Sequence, residues 1–570
     1  MGKIISSKYI ALILIPIVGF LLYFSSLSNG FVLDDNIQVT ENLVIHSLKN
    51  IPQLFLGSSF GGAATLNGVY YKPVMTTVFA FIYALFGANP IQFHFFQLIL
   101  HIANSLLLYF LLKHFFKKSL SIFLSLIFLV HPINSEAVLY ISALQEQLFT
   151  LFGLSALLIS VKKVLKLKDC FLFSFLILLS LLSKETGILY LSMTVVYGFI
   201  NDRRHFAKFL SLSFLALLPY LILRFFAVGA IASKTRGFGI MRLGLLERIQ
   251  NVPAIIFYYL KTLIFPKDLA VSQHWLVHSL NFVDFYLPIF IISIILVAMI
   301  VVAIRLRSKI FVFFSIWFLI GLFFHSNFLF ALDGTVSDRW MYFPIIGLLG
   351  LIGVIFEKIK KEKMIVISII IILIILSTRT FTRSLDWKSN LSISSHDVLV
   401  TKDSFALENT LGSALTDQGR YMEAIVHIKK SIALAPYHWI NWNNLGVAYL
   451  NMGWKNQNQD DLTKAEKYFR KSIKNGSNFY LPYENLGLLL VDFRDPKEAE
   501  NFFLQASKKI QLNHRLWFLL AVTEYELNNK EKALTAAIQA YNLNPDDALS
   551  TQFYNALVNN QKIDIEGPNL

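Results

Sequence analysis

The sequence has almost no cysteine and few charged residues. Cys170 is the only cysteine among 570 residues, which excludes an intrachain disulfide and leaves the redox compartment undecided. Charged residues make up 15% of the chain, against about 25% in an average soluble domain. The deficit is local, because up to about residue 380 short clusters of charge separate long apolar runs. Many of these runs approach the roughly 20 residues needed to cross a bilayer, which excludes a soluble fold for this part.

Acidic residues are outnumbered by basic ones, and the formal net charge is +15. In a soluble protein this excess would suggest nucleic acid as a partner. Here the basic residues lie mostly between hydrophobic segments, which indicates membrane topology and no nucleic-acid binding.

Eleven apolar segments predict a multi-pass membrane protein. The first follows two lysines, and we interpret it as a retained helix because it is long for a signal peptide and lacks a clear cleavage site. Two weaker segments, 74–87 and 251–266, are broken by polar residues and proline, which favours surface or re-entrant helices. The eleven are 9–28, 92–112, 119–133, 137–160, 169–182, 186–200, 209–228, 285–304, 310–331, 340–356 and 364–378.

Lysine and arginine in alternate short loops predict the orientation. With eleven crossings all the basic loops fall on the side of the N-terminus, which is therefore cytoplasmic. The odd number of crossings places the C-terminal part outside the cytoplasm. The basic loops are 113–118, 162–168, 203–208, 305–309 and 358–363.

From about residue 384 the chain is polar and contains a repeat. The anchor residues Leu411, Leu445, Leu486 and Leu520 are separated by 34, 41 and 34 residues, and an insertion explains the longer interval. A period of 34 with small residues at fixed positions is typical of tetratricopeptide repeats, which are helical hairpins. We therefore predict an all-α protein with a membrane domain over 1–383, a linker over 384–403, and about four repeats with a capping helix over 404–563.

Two adjacent carboxylates, Asp34 and Asp35, open the first outward loop. Neighbouring carboxylates raise one another's pKa, which suits a general base; a metal ligand, a solvated turn and a helix cap are the other interpretations. Lys72 ends the same loop and suits a phosphate group or a lysine that reaches the membrane interface.

Two further cations oppose the basic-inside trend. Lys184 lies in a tight outward turn and Arg339 in the last outward loop, and both side chains suit a phosphate group. Lys184 has an alternative partner in the adjacent Glu185. Arg224, near the outer end of its helix, is another candidate.

Acidic and histidine side chains follow the third segment. His131 and Glu136 fit a catalytic element or a helix start in which Asn134 or Ser135 caps the helix. Glu146 lies in an otherwise apolar helix and must face a polar cavity or a partner.

Carboxylates and cations thus collect at the outer ends of the helices. This layout is needed to use a lipid phosphate as a sugar donor outside the cytoplasm. No recognisable carboxylate ligand set indicates a metal, so we predict no cofactor, although a divalent cation is compatible with the carboxylates.

An ordered set of motifs resembles a known family. The chain contains FVLDDN, YYKP, HPINSEAV, LLSKET, DRWMYFP and TRTFTRSLDW in this order. The set is similar to the transmembrane-and-tetratricopeptide-repeat glycosyltransferases, which include the O-mannosyltransferases that modify cadherins and many bacterial relatives. These resemble the GT-C class, which uses polyprenyl-phosphate sugars, and the resemblance covers essentially the whole chain.

The resemblance implies a membrane helix bundle of GT-C type followed by a repeat solenoid. It also implies an inverting hexosyltransferase that moves a sugar from a polyprenyl-phosphate donor in the membrane to a protein or glycan acceptor on the periplasmic or extracytoplasmic side. The tetratricopeptide groove would present the acceptor. The alternative is a non-enzymatic membrane scaffold whose repeats bind a partner protein.

The resemblance also implies roles for individual residues. Asp34 or Asp35 is the catalytic base, and four cations bind the donor phosphate. Lys72 stands where the family has arginine, and Asn134 stands where it has histidine. The phosphate-binding residues are Lys184, Arg339, Lys72 and Arg224, and the supporting residues are His131, Glu136, Glu146, Glu185, Asp338 and Tyr342.

Overall fold

The computed structural model describes residues 9–59, 70–162, 164–201, 203–228, 237, 239–359, 362–401, 403–476, 479–493, 496–509, 513–545 and 547–561. In these residues the regular structure is helical, and the sole strand-like feature is an isolated antiparallel bridge between Gln273 and Val336. The described chain divides into a membrane unit that ends at Ser404 and a repeat unit that begins at Phe405. The predicted fold class, a membrane helix bundle followed by a tetratricopeptide solenoid, is confirmed.

Sixteen α-helices form the membrane unit over the described residues. They are α1 (Ile10–Tyr23), α2 (Ile51–Leu56), α3 (Pro73–Phe86), α4 (Pro90–Leu112), α5 (Lys118–Val130), α6 (Ser135–Leu139), α7 (Leu144–Ser160), α8 (Leu167–Ser183), α9 (Ile188–Asn201), α10 (Arg203–Val228), α11 (Leu245–Ile264), α12 (Leu287–Leu306), α13 (Lys309–Phe324), α14 (Pro344–Glu357), α15 (Glu362–Asp386) and α16 (Asn390–Val400).

Six helical stretches of the described chain are long and apolar enough to cross a membrane. A seventh crossing arises if α5 and the short helices after it, Pro132–Leu139, form one span with a bend of 50°. The stretch Phe282–Leu306 is apolar on all sides. Only 6% of the residues in its most apolar part are buried in protein, which is typical of a helix that faces lipid. The six stretches are Ile10–Ser28, Pro90–Leu112, Ile141–Ser160, Phe206–Val228, Phe282–Leu306 and Val366–Asp386.

All six coincide with predicted segments. The predicted spans 310–331 and 340–356 correspond to the shorter apolar helices α13 and α14, and 169–182 and 186–200 correspond to α8 and α9. Eleven crossings therefore remain a prediction. Of the two weak segments, 74–87 is the short apolar helix α3, and 251–266 lies mostly in α11, which carries Pro253 inside it.

Helix α4 lies at the centre of the membrane unit and contacts α1, α5 and α7. It is apolar overall but buries His101 and Asn104 completely. Buried polar groups are costly unless they are hydrogen-bonded. Both side chains contact the hydroxyl of Tyr342, at 2.8 and 3.3 Å, so α4 fixes the end of the loop that precedes α14.

The segment 384–403, expected as a linker, contains the end of α15 and helix α16. The fully buried Arg383 forms a two-pronged ion pair with Asp397, with N–O distances of 2.6 and 2.9 Å. Asp397 also accepts the backbone N–H of Val271 at 2.9 Å. Because these contacts are internal to the membrane unit, this segment is packed structure rather than a free connection; the domain limits themselves stay predictions.

Within its described residues, the repeat unit contains four helical hairpins followed by one more helix. The small-residue position of each hairpin, occupied by Ala424, Ala465, Ala499 and Ala533, is fully buried where two helices cross. The hairpins are α17 (Phe405–Asp417) with α18 (Tyr421–Leu434), α19 (Trp439–Asn456) with α20 (Gln459–Asn475), α21 (Leu481–Phe493) with α22 (Pro496–Lys509), and α23 (His514–Glu526) with α24 (Lys530–Leu543); α25 (Ala548–Val558) ends the stack.

Candidate active site

The loop after α1 has an unusual backbone that positions the two adjacent carboxylates. Leu33 adopts a left-handed conformation with φ of 52°, which is uncommon for a residue with a side chain. Its N–H donates to the side-chain oxygen of Asn390 at 2.7 Å, and the next N–H, of Asp34, donates to the Tyr140 hydroxyl at 3.3 Å. The surrounding membrane unit therefore holds this turn in a conformation that the sequence alone does not favour.

Asp35 is completely buried and fully engaged by the protein. Its carboxylate accepts hydrogen bonds from the backbone N–H of Val32 at 3.0 Å and from the N–H and hydroxyl of Ser142 at 2.7 and 2.6 Å. Burial raises the pKa of Asp35 to about 7, although these hydrogen bonds oppose the shift. Such a carboxylate joins two segments of the site and is not accessible to a substrate.

Asp34 differs from its neighbour because its side chain is exposed. The bulk of protein around it nevertheless raises its pKa, while a hydrogen bond from the Tyr140 hydroxyl and the charge of Arg339 lower it. The charges of Asp333 and Lys72 act on it as well. Asp34 is thus a carboxylate that can reach a substrate and that lies among cations.

Arg339 is held by a buried glutamate. Glu136 accepts the backbone N–H of Arg339 at 2.9 Å, pairs with its guanidinium, and accepts the Ser337 hydroxyl at 2.9 Å. The guanidinium also lies 5.7 Å from the ring centre of Tyr140. Since 19% of the arginine side chain is exposed and only 2% of the glutamate, one face of the cation remains available.

Lys184 is held in a similar way by Glu146 on α7. The ammonium nitrogen lies 2.5 Å from the carboxylate and 5.6 Å from the ring centre of Phe149, and both charged residues are buried. Glu146 therefore faces a partner, as its place in an apolar helix predicted. The alternative pair of Lys184 with Glu185 is not formed; Glu185 instead lies 4.0 Å from Arg224.

The turn that carries Lys184 depends on a close backbone approach at Gly187. A Cβ atom at this position would lie 2.6 Å from the carbonyl carbon of Ser180. Backbone atoms of a helix cannot move away easily, so the turn requires glycine here. The N–H of Gly187 also donates to the carbonyl of Lys184 at 2.8 Å, which ties the glycine to the lysine.

Lys72 is the cation that lacks a carboxylate within ion-pair distance over the described residues. Its ammonium lies 5.0 Å from the ring centre of Tyr70, whose hydroxyl donates to Asp333 at 3.0 Å. Burial lowers the pKa of Lys72; the charge of Glu185 opposes this shift and that of Lys184 adds to it. An anion at this place would therefore stabilise the charged lysine.

Three predicted supporting residues have internal partners. His131 contacts the backbone carbonyl of Leu263 at 3.1 Å and accepts the N–H of Ile133 at 3.2 Å. Tyr342 is fully buried against α4. Asp338 is buried and accepts the hydroxyl of Tyr258 at 3.0 Å; burial and then the charge of Glu136 raise its pKa well above the usual range.

The structure therefore brings together Asp34, Lys72 and Arg339 in one charged neighbourhood, with Lys184 and Glu185 acting on Lys72. Sequence reasoning missed the residues that hold this arrangement, of which Tyr140 and Ser142 are the clearest. Neither has a sequence signal of its own, because an isolated tyrosine or serine is common. In the described part of the chain no group of three or more His, Cys, Asp or Glu side chains is placed to hold a metal ion.

Residues 72–228, which contain much of this neighbourhood, match the dolichyl-phosphate-mannose-protein mannosyltransferase family, and residues 514–547 match a tetratricopeptide repeat. The chain is 26% identical over 442 residues to protein O-mannosyl-transferase F38B6.6 of Caenorhabditis elegans, covering 73% of this chain and 61% of that protein. It is 23% identical over 625 residues to human protein O-mannosyl-transferase TMTC3, covering 94% of this chain and 68% of that protein.

These matches confirm the predicted family resemblance. The chain spans about three fifths of the length of the nematode relative. Among solved structures, ArnT from Cupriavidus metallidurans bound to undecaprenyl phosphate aligns over 88% of this chain and 81% of its own, with 14% identity and a TM-score of 0.40. The tetratricopeptide protein TTC0263 of Thermus thermophilus aligns over 30% of this chain and 89% of its own, with 16% identity and a TM-score of 0.27.

Proposed function

We propose that this protein is a membrane glycosyltransferase that moves a hexose from a polyprenyl-phosphate carrier to a hydroxyl group of a protein or glycan. The observation that carries the proposal is the exposed carboxylate of Asp34 among the cations Arg339 and Lys72. The matched family and the relatives named O-mannosyltransferases support the reaction class. The family description names mannose, which makes polyprenyl-phosphate mannose the first donor to test.

Asp34 is the proposed general base. It takes the proton from the acceptor hydroxyl, and the freed oxygen attacks the anomeric carbon of the sugar. The new bond forms as the bond between that carbon and the phosphate oxygen breaks, so the electron pair leaves with the lipid phosphate. A single displacement of this kind inverts the configuration at the anomeric carbon.

The cations stabilise the negative charge that develops on the leaving phosphate. Arg339 and Lys184 are already oriented by the buried carboxylates of Glu136 and Glu146, so little reorganisation is needed when the donor binds. Lys72 has no such pairing in the described residues and is the cation with most to gain from an anion. Arg224 contributes at the edge, through its contact with Glu185.

The remaining predicted residues act by positioning. Asp35 locks the loop that carries Asp34, because two of its three hydrogen bonds connect this loop to Ser142. His131, Asp338 and Tyr342 brace the elements around Glu136 and Arg339. This assigns the base to one member of the carboxylate pair and leaves the other without contact to substrate.

The reaction side follows from the charge of the loops. The basic loops lie on the side of the N-terminus, which is the cytoplasm, and the site residues occupy the opposite loops. The repeat unit then lies on the periplasmic or extracytoplasmic side, where it presents the acceptor.

A transfer assay tests the proposal. The purified full-length protein is incubated in lipid vesicles with labelled polyprenyl-phosphate sugars, mannose first, and release of the sugar is followed. Asp34→Asn keeps the shape of the side chain but removes the proton acceptor, so transfer should fall by roughly 10²–10⁴-fold.

Asp268→Asn is the matched control, because Asp268 pairs with Lys261 on an exposed surface and belongs to no part of the site. It should transfer sugar like the natural protein. Equal rates for Asp34→Asn and this control would remove the proposed base. A protein that releases sugar from no donor would favour the scaffold alternative.

A further inference from the structure

Asp333 is a carboxylate of the charged neighbourhood that has no role in the proposed reaction. Its Oδ2 atom accepts the hydroxyl of Tyr70 at 3.0 Å, and its Oδ1 atom has no hydrogen-bond partner among the described residues. The ring of Tyr70 also contacts Lys72, whose ammonium lies 5.0 Å from the ring centre. One aromatic side chain thus connects Asp333 to the cation, and one carboxylate oxygen remains available for a ligand.

The loop that carries Asp333 is folded by another residue, the fully buried Asn327. The amide oxygen of Asn327 accepts the N–H of Leu332 at 2.7 Å. Its amide nitrogen donates to the carbonyls of Gly334 and Thr335 at 3.2 and 3.0 Å. These contacts lie on both sides of Asp333 along the chain and do not involve its side chain. The loop therefore does not need the carboxylate for its shape, and the braced backbone holds the carboxylate in place.

The charge of Asp333 is not explained by the fold. A partly buried charge is costly unless a partner compensates for its lost hydration. Within the described residues Asp333 is half-buried, forms no ion pair, and receives its one hydrogen bond from the neutral hydroxyl of Tyr70. A ligand that donates hydrogen bonds would explain why a carboxylate stands here.

The neighbours of Asp333 locate this ligand. Burial is the main cause of the shifts in the pKa of Asp34 and of Lys72, and the charge of Asp333 also raises both pKa values. Asp333 therefore lies within electrostatic range of the proposed base and of a phosphate-binding cation. In the proposed reaction the sugar lies between these two groups, because its anomeric carbon is bonded to the phosphate and is attacked by the acceptor oxygen that Asp34 deprotonates.

The chemistry of the carboxylate limits the kind of sugar. An ionised carboxylate only accepts hydrogen bonds, and Tyr70 uses one of its about four lone-pair sites. Two adjacent hydroxyl groups on a hexose ring are donors that match the two oxygens. A uronic acid would bring a third carboxylate close to Asp34 and Asp333, and like charges at short distance repel one another. A neutral hexose with adjacent free hydroxyl groups fits these conditions.

We propose that Asp333 binds the sugar of the donor by accepting hydrogen bonds from two adjacent hydroxyl groups of a neutral hexose. This inference rests on the proposed function, which places the sugar between Asp34 and Lys72. Asp333 is then a residue that determines sugar specificity, separate from the base and from the phosphate-binding cations. It contributes to affinity for the sugar and not to affinity for the lipid phosphate.

Binding of lipids to the full-length protein in detergent tests the inference. The probes are polyprenyl phosphates that carry mannose, glucose or galactose, and plain polyprenyl phosphate, each in competition with a labelled polyprenyl phosphate. Asp333→Ala should weaken binding of at least one hexose lipid roughly tenfold or more, because hydrogen bonds to a charged group are lost. It should not weaken binding of the plain phosphate. An equal loss for both kinds of lipid, or no loss for any hexose lipid, would overturn the inference.

Donors that lack one hydroxyl group identify the contact. Removal of the hydroxyl at C2, C3 or C4 in turn should weaken binding to the natural protein roughly tenfold at two adjacent positions. Asp333→Ala should bind these two analogues as it binds the complete hexose lipid, since the partner of the missing hydroxyl group is gone. The same penalty in the natural protein and in the variant would show that another group binds the sugar.

A second variant separates binding from loss of structure. Asp333→Asn keeps an oxygen that accepts the Tyr70 hydroxyl, so the loop should be retained, but it replaces the other oxygen by a donor. Binding of the hexose lipid should therefore still fall. Asp268→Ala is the matched control, because Asp268 pairs with Lys261 on an exposed surface, and it should bind all the lipids like the natural protein. Normal binding of every hexose lipid by both Asp333 variants would refute the inference.

The two proposals fail separately. Binding of a hexose lipid that depends on Asp333, without sugar transfer from any donor, would contradict the proposed function and retain the sugar-binding residue. Sugar transfer with undiminished binding by the Asp333 variants would support the proposed function and remove Asp333 from the sugar site.

Discussion

The two units of this protein use charged side chains in different ways. In the membrane unit the ion pairs of the candidate site are buried and join residues far apart in the chain: Glu136 and Arg339 are separated by 203 positions. In the repeat unit many pairs are exposed and local, such as Arg420 with Glu423, three positions apart. The buried pairs fix the relative positions of distant parts of the fold. The exposed pairs lie on a surface whose shape the helices already determine.

The difference between buried and exposed ion pairs indicates which charged residues have a functional role. An exposed pair contributes little to stability and is screened by solvent. A buried pair costs desolvation, so hydrophobic residues of similar volume would often serve the fold as well. Buried pairs that leave part of a cation accessible, as Glu136 leaves Arg339, therefore indicate a site rather than a scaffold.

Breaking the buried pair should give the largest effect. Glu136→Gln leaves Arg339 partly buried without its counter-charge, and loss of one partner of such a pair typically costs about 3–5 kcal/mol. We expect a large fall in the melting temperature of the purified protein. Glu423→Gln in the repeat unit should leave the melting temperature unchanged. Equal effects of both variants would contradict the proposed difference between buried and exposed ion pairs.

A paired substitution sharpens the comparison for Lys184. Lys184→Met with Glu146→Leu removes both charges and leaves neither orphaned, so the fold should be retained. If the lysine binds the donor phosphate, the KM for donor should rise about 10–100-fold, since hydrogen bonds to charged groups contribute about 1.5–3 kcal/mol. Lys162→Met with Asp169→Leu, which removes a pair outside the candidate site, is the control and should not change KM. An unchanged KM in the first variant would make this pair purely structural.

The smallest expected effect is a difference in pH dependence between the two units. Asp35 has its pKa raised by burial to about 7, so its contribution to stability is present below about pH 4 and is lost as the pH rises toward 7. Asp547 caps α25; burial raises its pKa, but hydrogen bonds from Ser550 outweigh this and the net pKa is lowered. Its contribution is present above about pH 4 and is lost as the pH falls.

Melting temperatures between about pH 2 and pH 8 check this pair of signs, because the contribution of Asp547 changes below about pH 4. Relative to the natural protein, Asp35→Asn should become comparatively more stable as the pH rises, and Asp547→Asn comparatively less stable. Parallel curves for the two variants would show that the carboxylates do not differ in this way.

The repeat unit was predictable because its determinants are local. The anchor Leu445, Gly446 after it and Ala465 in the next helix define one hairpin within about 20 residues. At Gly446 a Cβ atom would lie 2.5 Å from the Phe469 ring, which is the close approach that the small residue permits. The hydrogen bonds between hairpins, from Asn444 to Asn409 and from Asn485 to Asn443, were not predicted, since they depend on which faces of α17, α19 and α21 meet.

The sequence predicted the apolar segments of the membrane unit and the residue types of the site. It did not predict which side chains pair with one another in the site. The sequence places Lys184 beside Glu185, whereas the fold pairs it with Glu146, because the turn directs the lysine inward. Asp34 and Asp35 are chemically equal in the sequence. Only the hydrogen bonds of Ser142 and the exposed position of Asp34 distinguish them.

Gly187, in the turn after Lys184, affects how a mutational screen of this protein should be interpreted. Gly187 touches no substrate in the proposed reaction, yet any side chain there would meet the backbone of α8. In a saturation screen that scores sugar transfer, this position should be as intolerant as Asp34. A ranking of positions by sensitivity alone would therefore count a steric requirement as chemistry, and only a variant that restores the turn in another way would separate the two.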